Sequence, residues 1–266
     1  MKPLSVIGVS SIQPARDPDW SAEVPKIMRT RAPRIWCMAH AAVKKMLIDC
    51  SRTPKSIVTA TALGALGETK NFLDGVFKDG FGSPRNFIAS VHNSMAGKLA
   101  VDFSINGPNL TICDGQNSFA SALVTASLLS QKDFPVCLVV IEERIELLDT
   151  ILPYLSEECA AYLNRNWYEA AVVFLLDNNQ IQGCPRISAV GPETVGSLAP
   201  EEKCALLAGA ISGNGITLPP LDETSDSFVK PAIVAHNHIT EAAPGTYLIG
   251  SYAPSAQAAA VVMLCM

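Results

Sequence analysis

Along the first two thirds of the chain, short apolar runs alternate with longer stretches in which apolar residues recur at helical spacing. Short, β-rich apolar runs predict strands at residues 4–9, 56–60, 110–113, 136–141 and 171–176, and the runs 136–141 and 171–176 are continuous, as expected for strands buried on both faces. Between them, apolar residues recur at helical spacing and predict helices at residues 35–48, 69–76, 93–103 and 117–129. This alternation predicts an α/β fold with helices on both faces of a mixed sheet.

The pattern changes after about residue 180, where prolines interrupt the chain repeatedly. Residues 200–212 still predict a helix, and residues 246–252 and 258–264 predict the two strands of a closing hairpin. The tract 218–227 is interpreted as a loop.

Composition narrows the classes of function. The chain has 266 residues, 48% of them hydrophobic and 17% charged, with a formal net charge of −5 and no basic block, so we expect neither nucleic acid nor a membrane surface as a partner. The first apolar run is too short for a signal peptide or a membrane span. Eight cysteines without metal-type spacing indicate reduced thiols in a cytoplasmic protein, with disulfides a lesser alternative.

Four segments, in order, carry a resemblance to a known family. They are residues 56–67 (SIVTATALGALG), 86–97 (NFIASVHNSMAG), 106–118 (NGPNLTICDGQNS) and 137–144 (CLVVIEER). Their order and spacing resemble the first half of the β-ketoacyl synthases of the thiolase-fold superfamily. The resemblance implies a thiolase-like, layered α-β-α fold with a complete first half (residues 1–178). It also implies a shortened second half (residues 179–266) that ends in the hairpin and packs with the first half as one globular unit.

Gln116 lies where an active ketosynthase would carry its nucleophilic cysteine, counting without gaps from Gly107 and Pro108. The following helix would lower the pKa of a thiol at this position. A glutamine amide cannot form an acyl thioester, so the covalent chemistry of the family is lost. Cys113 is a rival nucleophile, but it falls inside a predicted strand and is interpreted as a structural thiol.

The histidines give an independent test. Active members supply two histidines from their second half, one followed by Gly-Thr and one preceded by Gly, and neither His236 nor His238 has these neighbours. His236 and His238 could bind a metal from one strand face, but without a third ligand an exposed loop pair is favoured. The run 142–146 (EERIE) is interpreted as a solvated strand end, and residues 64–67 (GALG) as a weak nucleotide signal. We therefore expect no metal site and no cofactor.

The resemblance implies a chain-length factor: a non-catalytic subunit that pairs with an active ketosynthase, completes the dimer and bounds the acyl tunnel. By position, the tunnel would be gated by residues of the turn and helix after the second strand: Leu63, Leu66, Thr69 and Phe72. The dimer interface would use one helix and the strand before Gln116: Asn93, Met95, Gly97, Leu110, Thr111 and Ile112.

The implied partners are a catalytic ketosynthase subunit and, through the complex, an acyl-carrier protein. The compact size resembles the short chain-length factors of aryl polyene pathways. Two alternatives stay open. One is a Gln-dependent decarboxylase of malonyl-carrier protein that makes a starter unit, and the other is a homodimeric acyl-binding or scaffold protein.

Overall fold

The computed structural model describes residues 1–157, 160–161, 167–212, 223–225 and 228–266. Its strands, in chain order, are β1 (Leu4–Ile12), β2 (Ser56–Ala60), β3 (Asn109–Ile112), β4 (Val136–Glu142), β5 (Ala170–Asp177), β6 (Arg186–Thr194), β7 (Glu223–Ser225), β8 (Thr246–Ala253) and β9 (Ala258–Cys265).

The α-helices of the described residues are α1 (Lys26–Arg31), α2 (Arg34–Asp49), α3 (Leu66–Asp79), α4 (Pro84–Ser90), α5 (His92–Asp102), α6 (Ser118–Ser127), α7 (Glu146–Ile151), α8 (Pro200–Ser212) and α9 (Lys230–Glu241). Short 3₁₀ turns lie at Trp20–Glu23, Gly115–Asn117, Gln131–Asp133 and Leu152–Tyr154. None of the helices in the described ranges combines the length and the apolar character needed to cross a bilayer.

All nine strands form one sheet in the order β3-β2-β4-β5-β1-β6-β9-β8-β7. β2 pairs in parallel with both β3 and β4, whereas β4–β5 and β5–β1 are antiparallel. β1 also pairs with β6, so the sheet continues from the first part of the chain into the second. Because β3 ends the sheet, one of its edges has no partner strand among the described residues.

The sheet contains an internal repeat that the sequence does not display. Outward from the β1–β6 junction, the series β1-β5-β4-β2 pairs antiparallel, antiparallel and then parallel. The series β6-β9-β8-β7 repeats this order on the other side. α6 precedes β4 as α9 precedes β8, so these helices occupy corresponding positions. β3 has no counterpart among the described residues of the second part, consistent with an abbreviated second half.

Helices cover both faces of the sheet and separate the core into layers. On one face, α6 packs over the even-numbered residues of β4, such as Leu138 and Val140, and α9 packs over β1, β5 and β8. On the other face, α2 packs over its odd-numbered residues, such as Cys137 and Val139. Successive strand residues point to opposite faces, so a fully apolar strand is what this burial requires. In the second half of the chain, α8 packs against β8 and β9 and forms a smaller apolar cluster with them. This cluster lies on the same face of the sheet as α2.

The main sequence expectations for the elements are confirmed. Every predicted helix and strand is present, with ends that differ by a few residues, and the α/β class and the closing hairpin are as expected. The boundary at residue 178 stays a prediction.

Other expectations are wrong or incomplete. In the predicted loop 218–227, residues 223–225 form β7, and the remainder lies outside the described residues. His236 and His238 lie on α9 and not on a loop, because Pro231 opens a helix whose Ala232, Ile233 and Ala235 are buried. The sequence reading also missed α1, α4, α7 and β6.

Candidate functional site

The site is built around a sharp turn between β3 and α6. Gly115 adopts a φ of +52°, a left-handed conformation that favours glycine, and starts the 3₁₀ turn that contains Gln116. Gln116 is buried, and Asn117 alone separates it from α6, so it lies next to the positive end of the helix dipole. The local fold therefore places residue 116 at a helix N-terminus, as the sequence predicts.

Ser118 connects this turn to the loop after β2. Its Oγ accepts a hydrogen bond from the Asp114 amide at 2.9 Å and lies within hydrogen-bond distance of two carbonyls, Gly115 O at 2.7 Å and Thr61 O at 3.1 Å. The Thr61 amide donates to the Ile112 carbonyl at 3.1 Å. The Gln116 turn and the segment that begins at Thr61 are thus held as one unit.

Asn117 connects the same turn to the closing hairpin. Its Nδ2 donates to the Ala258 carbonyl at 3.0 Å, and its Oδ1 accepts from Ser251 Oγ at 2.7 Å. Both Asn117 and Ser251 are buried, so these bonds are sheltered from water. They cross 141 and 134 residues of sequence and tie the start of α6 to β8 and β9.

Glu142 and Glu143 are buried at the end of β4, so the interpretation of this run as a solvated strand end is wrong. Glu142 Oε1 accepts from Thr61 Oγ1 at 3.0 Å and from the Ala62 amide, and its Oε2 accepts from the Leu63 amide at 3.4 Å. Burial raises the pKa of the Glu142 carboxyl to about 8, against the lowering effect of these donors. The physical reason for the error is that the loop after β2 folds over the strand end and supplies the donors.

Glu143 points to the opposite face from Glu142, as successive residues do. Its carboxyl is hydrogen-bonded by the backbone at Gly67 and Ile35, close to the starts of α3 and α2. Burial raises the pKa of Glu143 to about 7, although Arg34 and these bonds oppose the rise. Carboxylates at helix N-termini are favourably placed with respect to the helix dipole.

The predicted tunnel residues lie together in one segment. Leu63 falls in the turn between β2 and α3, and Leu66, Thr69 and Phe72 lie on the first two turns of α3. All four are partly buried. The Phe72 ring packs against Phe87 of α4, with ring centroids 5.3 Å apart, and closes over Gly82. Their role as tunnel residues stays a prediction.

The predicted interface residues divide into two groups. Asn93 and Leu110 are exposed, and the Asn93 amide donates to Asn109 Oδ1 at 3.1 Å and to Thr111 Oγ1 at 3.3 Å, which fixes α5 beside β3. Open space surrounds Gly97 where a Cβ would stand, so another backbone can approach there.

The other members of the predicted interface are less accessible. Met95 is buried in the core that α2 and α5 share, so it supports the surface from behind and does not face outward. Thr111 is partly buried and shares a hydrogen bond of 2.7 Å with Thr59, and Ile112 is partly buried against the α6 core. The interface assignment stays a prediction.

Cys113 is poorly suited to act as a nucleophile. It is exposed, at the carboxyl end of β3, yet desolvation by the surrounding protein and the negative charge of Glu142 raise its thiol pKa to about 11. A thiol attacks as its thiolate, so Cys113 is almost entirely unreactive near neutral pH. The seven cysteines within the described ranges are all free thiols.

Each of the four histidines contacts a different neighbouring residue. His92 contacts Gly64, the His40 ring packs on Phe103, and His238 stacks on Tyr247 with ring centroids 4.0 Å apart. His236 Nδ1 lies 3.3 Å from Asn237 Oδ1. In the part of the chain that the structure describes, no three His, Cys, Asp or Glu side chains gather in a geometry that could hold a metal ion.

The site therefore combines a helix N-terminus, a buried amide side chain and a hydrogen-bonded turn, without a thiol at position 116. The model of the β-ketoacyl synthase N-terminal domain matches residues 9–184. The chain belongs to the β-ketoacyl synthase N-terminal domain family. No curated protein sequence matches this ketosynthase-family chain.

Solved structures similar to this ketosynthase-family chain include two that contain chain length factors. "The ishigamide ketosynthase/chain length factor" aligns at 15% identity and a TM-score of 0.75, covering 99% of both chains. The ketosynthase ApeO in complex with its chain length factor ApeC, from Xenorhabdus doucetiae, aligns at 17% identity and 0.66, again over 99% of both chains. The 3-oxoacyl-[acyl-carrier-protein] synthase III of Aquifex aeolicus aligns at 13% and 0.60, covering 99% of this chain and 100% of that one. At these identities the likeness establishes the thiolase-like ketosynthase fold.

Sequence reasoning found the Gln116 turn but missed Asn117, Glu142 and Glu143. One signal was available for the glutamates: Glu142 ends β4 directly after the unbroken apolar run 136–141, so the glutamates begin at the core layer. No local signal marks Asn117, because both of its partners lie in the closing hairpin.

Proposed function

We propose that this chain is the non-catalytic chain-length-factor subunit of a heterodimer with a separate, active β-ketoacyl synthase. The observation that carries the proposal is Gln116, buried at the turn before α6 where a nucleophile would receive the benefit of the helix dipole. The family's site architecture is thus present around a side chain that cannot form a thioester. The nearby Cys113 cannot substitute, because its thiol pKa of about 11 leaves almost no thiolate at neutral pH.

A second support is the unpaired edge of β3 and the apolar surface beside it. Five large apolar side chains of α4, α5, β3 and the residue between the two helices are each at least 37% exposed: Phe87, Ile88, Val91, Val101 and Leu110. Exposed strand edges pair readily, and contiguous exposed apolar surface marks interaction sites. This surface, which we name the β3 surface, supports pairing with a second ketosynthase-like subunit across an edge strand.

In this proposal the growing acyl chain stays on the partner's nucleophile and extends toward the shared interface. Leu63, Leu66, Thr69 and Phe72 would bound the far end of its tunnel and so limit the number of condensations. An acyl-carrier protein would deliver malonyl units to the complex. The likeness to a structure that contains ApeC supports an aryl-polyene-type product.

The test is co-expression with a candidate catalytic ketosynthase, size-exclusion chromatography and an elongation assay with malonyl-carrier protein. A one-to-one complex that elongates is expected, with activity lost when this chain is omitted and retained in Gln116→Ala. Carbon dioxide release from malonyl-carrier protein by this chain alone, abolished by Gln116→Ala, would instead establish a starter-forming decarboxylase. A stable homodimer that forms no complex with any ketosynthase tested would establish a scaffold or acyl-binding protein.

A further inference from the structure

Glu142 and Glu143 are adjacent acidic residues, and both are buried. The proposed function assigns neither of them a catalytic role. Burying a carboxyl group is costly unless donors compensate for the lost water. All of the donors to Glu142 among the described residues come from the turn at residues 61–63, and Glu143 is compensated by Arg34 and by the backbone at Gly67 and Ile35. These contacts therefore hold the segment at residues 61–67 in a fixed position.

Glu142 holds the first part of the segment from the α6 side of the sheet. Its two oxygens accept from Thr61 Oγ1 and from the amides of Ala62 and Leu63. Thr61 Oγ1 also accepts from the Gly64 amide at 2.9 Å, which closes the turn. Gly64 has a φ of +61° and its Cα lies against the His92 ring, so the turn has little room to shift toward α5.

Glu143 holds the second part from the α2 side. Its carboxyl binds the backbone at Gly67 near the start of α3 and at Ile35 near the start of α2. An added Cβ on Gly67 would stand 3.3 Å from Glu143 Oε1, so the carboxylate lies directly against this backbone. Because Leu66 immediately precedes Gly67, its position follows that of the clamped helix start.

We propose that the carboxyl groups of Glu142 and Glu143 form a clamp that fixes Leu63 and Leu66, and thereby makes these two glutamates positioning residues for the length of the acyl product. The clamp itself is a property of this chain, whereas its effect on product length rests on the proposed function. The link to the Gln116 turn runs through Ser118, whose Oγ lies 3.1 Å from the Thr61 carbonyl. The segment at residues 61–67 therefore carries the predicted tunnel residues Leu63 and Leu66, and it is also hydrogen-bonded to the turn that contains Gln116.

The decisive variant is Glu142→Gln, which keeps the size of the side chain and places an amide NH₂ where an acceptor is required. Hydrogen exchange of the isolated chain is the first readout. At a pH above the Glu142 pKa of about 8, we expect the Leu63 amide to exchange at least about tenfold faster, because its bond to a buried carboxylate oxygen is replaced by two opposed donors. Glu143→Gln should have the same effect at Gly67, and Glu146→Gln, an exposed glutamate of the same run, is the matched control.

The second readout is the product distribution of each variant in complex with a catalytic ketosynthase, measured by mass spectrometry at equal complex concentration. We expect the main product to shift, or the distribution to broaden, by at least one two-carbon unit in Glu142→Gln and Glu143→Gln but not in Glu146→Gln. A loss of stability alone would lower the yield without changing the length.

The outcomes separate the two proposals. Unchanged exchange at Leu63 and Gly67 overturns the clamp. Faster exchange with unchanged product lengths overturns its role in chain length while the heterodimer stands. If the wild-type chain supports elongation with no ketosynthase, the proposed function is wrong, and so is the proposed effect on product length. Hydrogen exchange at Leu63 and Gly67 then remains the test of the clamp.

Discussion

Replacing Asn117 with alanine tests whether the turn that carries Gln116 is locked to the closing hairpin. Asn117 is 1% exposed and makes two hydrogen bonds, to the Ala258 carbonyl and from Ser251 Oγ. Asn117→Ala removes both, leaves the Ser251 hydroxyl without this acceptor and opens a small void. Each buried group that loses its partner costs about 1–3 kcal/mol, so we expect a loss of about 2–4 kcal/mol in the free energy of unfolding. That is a large fraction of the roughly 5–15 kcal/mol that stabilises a typical domain.

The assay is urea denaturation followed by circular dichroism, with Asn106→Ala as the matched control. Asn106 is exposed and its amide donates to the Ser104 carbonyl two residues away, so this change should stay within about 0.5 kcal/mol. If Asn117→Ala costs no more than Asn106→Ala, the bridge between α6 and the hairpin contributes nothing and the reasoning is refuted. A second, separate unfolding transition would show instead that the two parts of the chain unfold independently.

Three further outcomes are expected. Because the pKa of Glu142 is raised to about 8 and that of Glu143 to about 7, the folded chain holds more protons than the unfolded chain above about pH 4.5. Stability should therefore fall as pH rises from about 5 to 8, and less steeply in Glu142→Gln. Equal slopes for wild type and variant would contradict this. Phe72→Ala should lengthen the product of the complex by at least one two-carbon unit, measured by mass spectrometry, and a product of unchanged length would make Phe72 an ordinary packing residue of α3. Leu110→Lys on the edge strand should abolish the heterodimer in size-exclusion chromatography, whereas Leu128→Lys, at the exposed end of α6, should leave it intact. Retained assembly in both would remove the β3 surface as the interface.

The elements that local pattern predicts well are those whose burial depends on their own residues. β4 and β5 each contain an unbroken apolar run, residues 136–141 and 170–176, because both of their faces are covered, and this is visible without the fold. α9 could have been found from Pro231 and the spacing of its apolar residues, yet proline was read there as a loop signal. β6 was missed because Pro192 interrupts it, at a point where its register with β9 shifts.

The error at Glu142 and Glu143 has a different origin. Two adjacent acidic residues at the end of a strand usually meet water, and this expectation outweighs the signal from the apolar run before them. Their burial is decided by Thr61, Ala62 and Leu63, about 80 residues earlier, which bring the compensating donors. Long-range partners of this kind are set by the packing of β2 beside β4.

The sequence by itself therefore determined the α/β class, the spans of the principal elements and the glutamine at the start of α6. These follow from periodicity and from spacing within one segment, which are local quantities. Only the tertiary structure decided the strand order, the repeat about the β1–β6 junction, the Asn117 bridge and the buried glutamates. Each of these depends on which distant backbone supplies a hydrogen-bond partner, and a one-dimensional pattern carries no information about that choice.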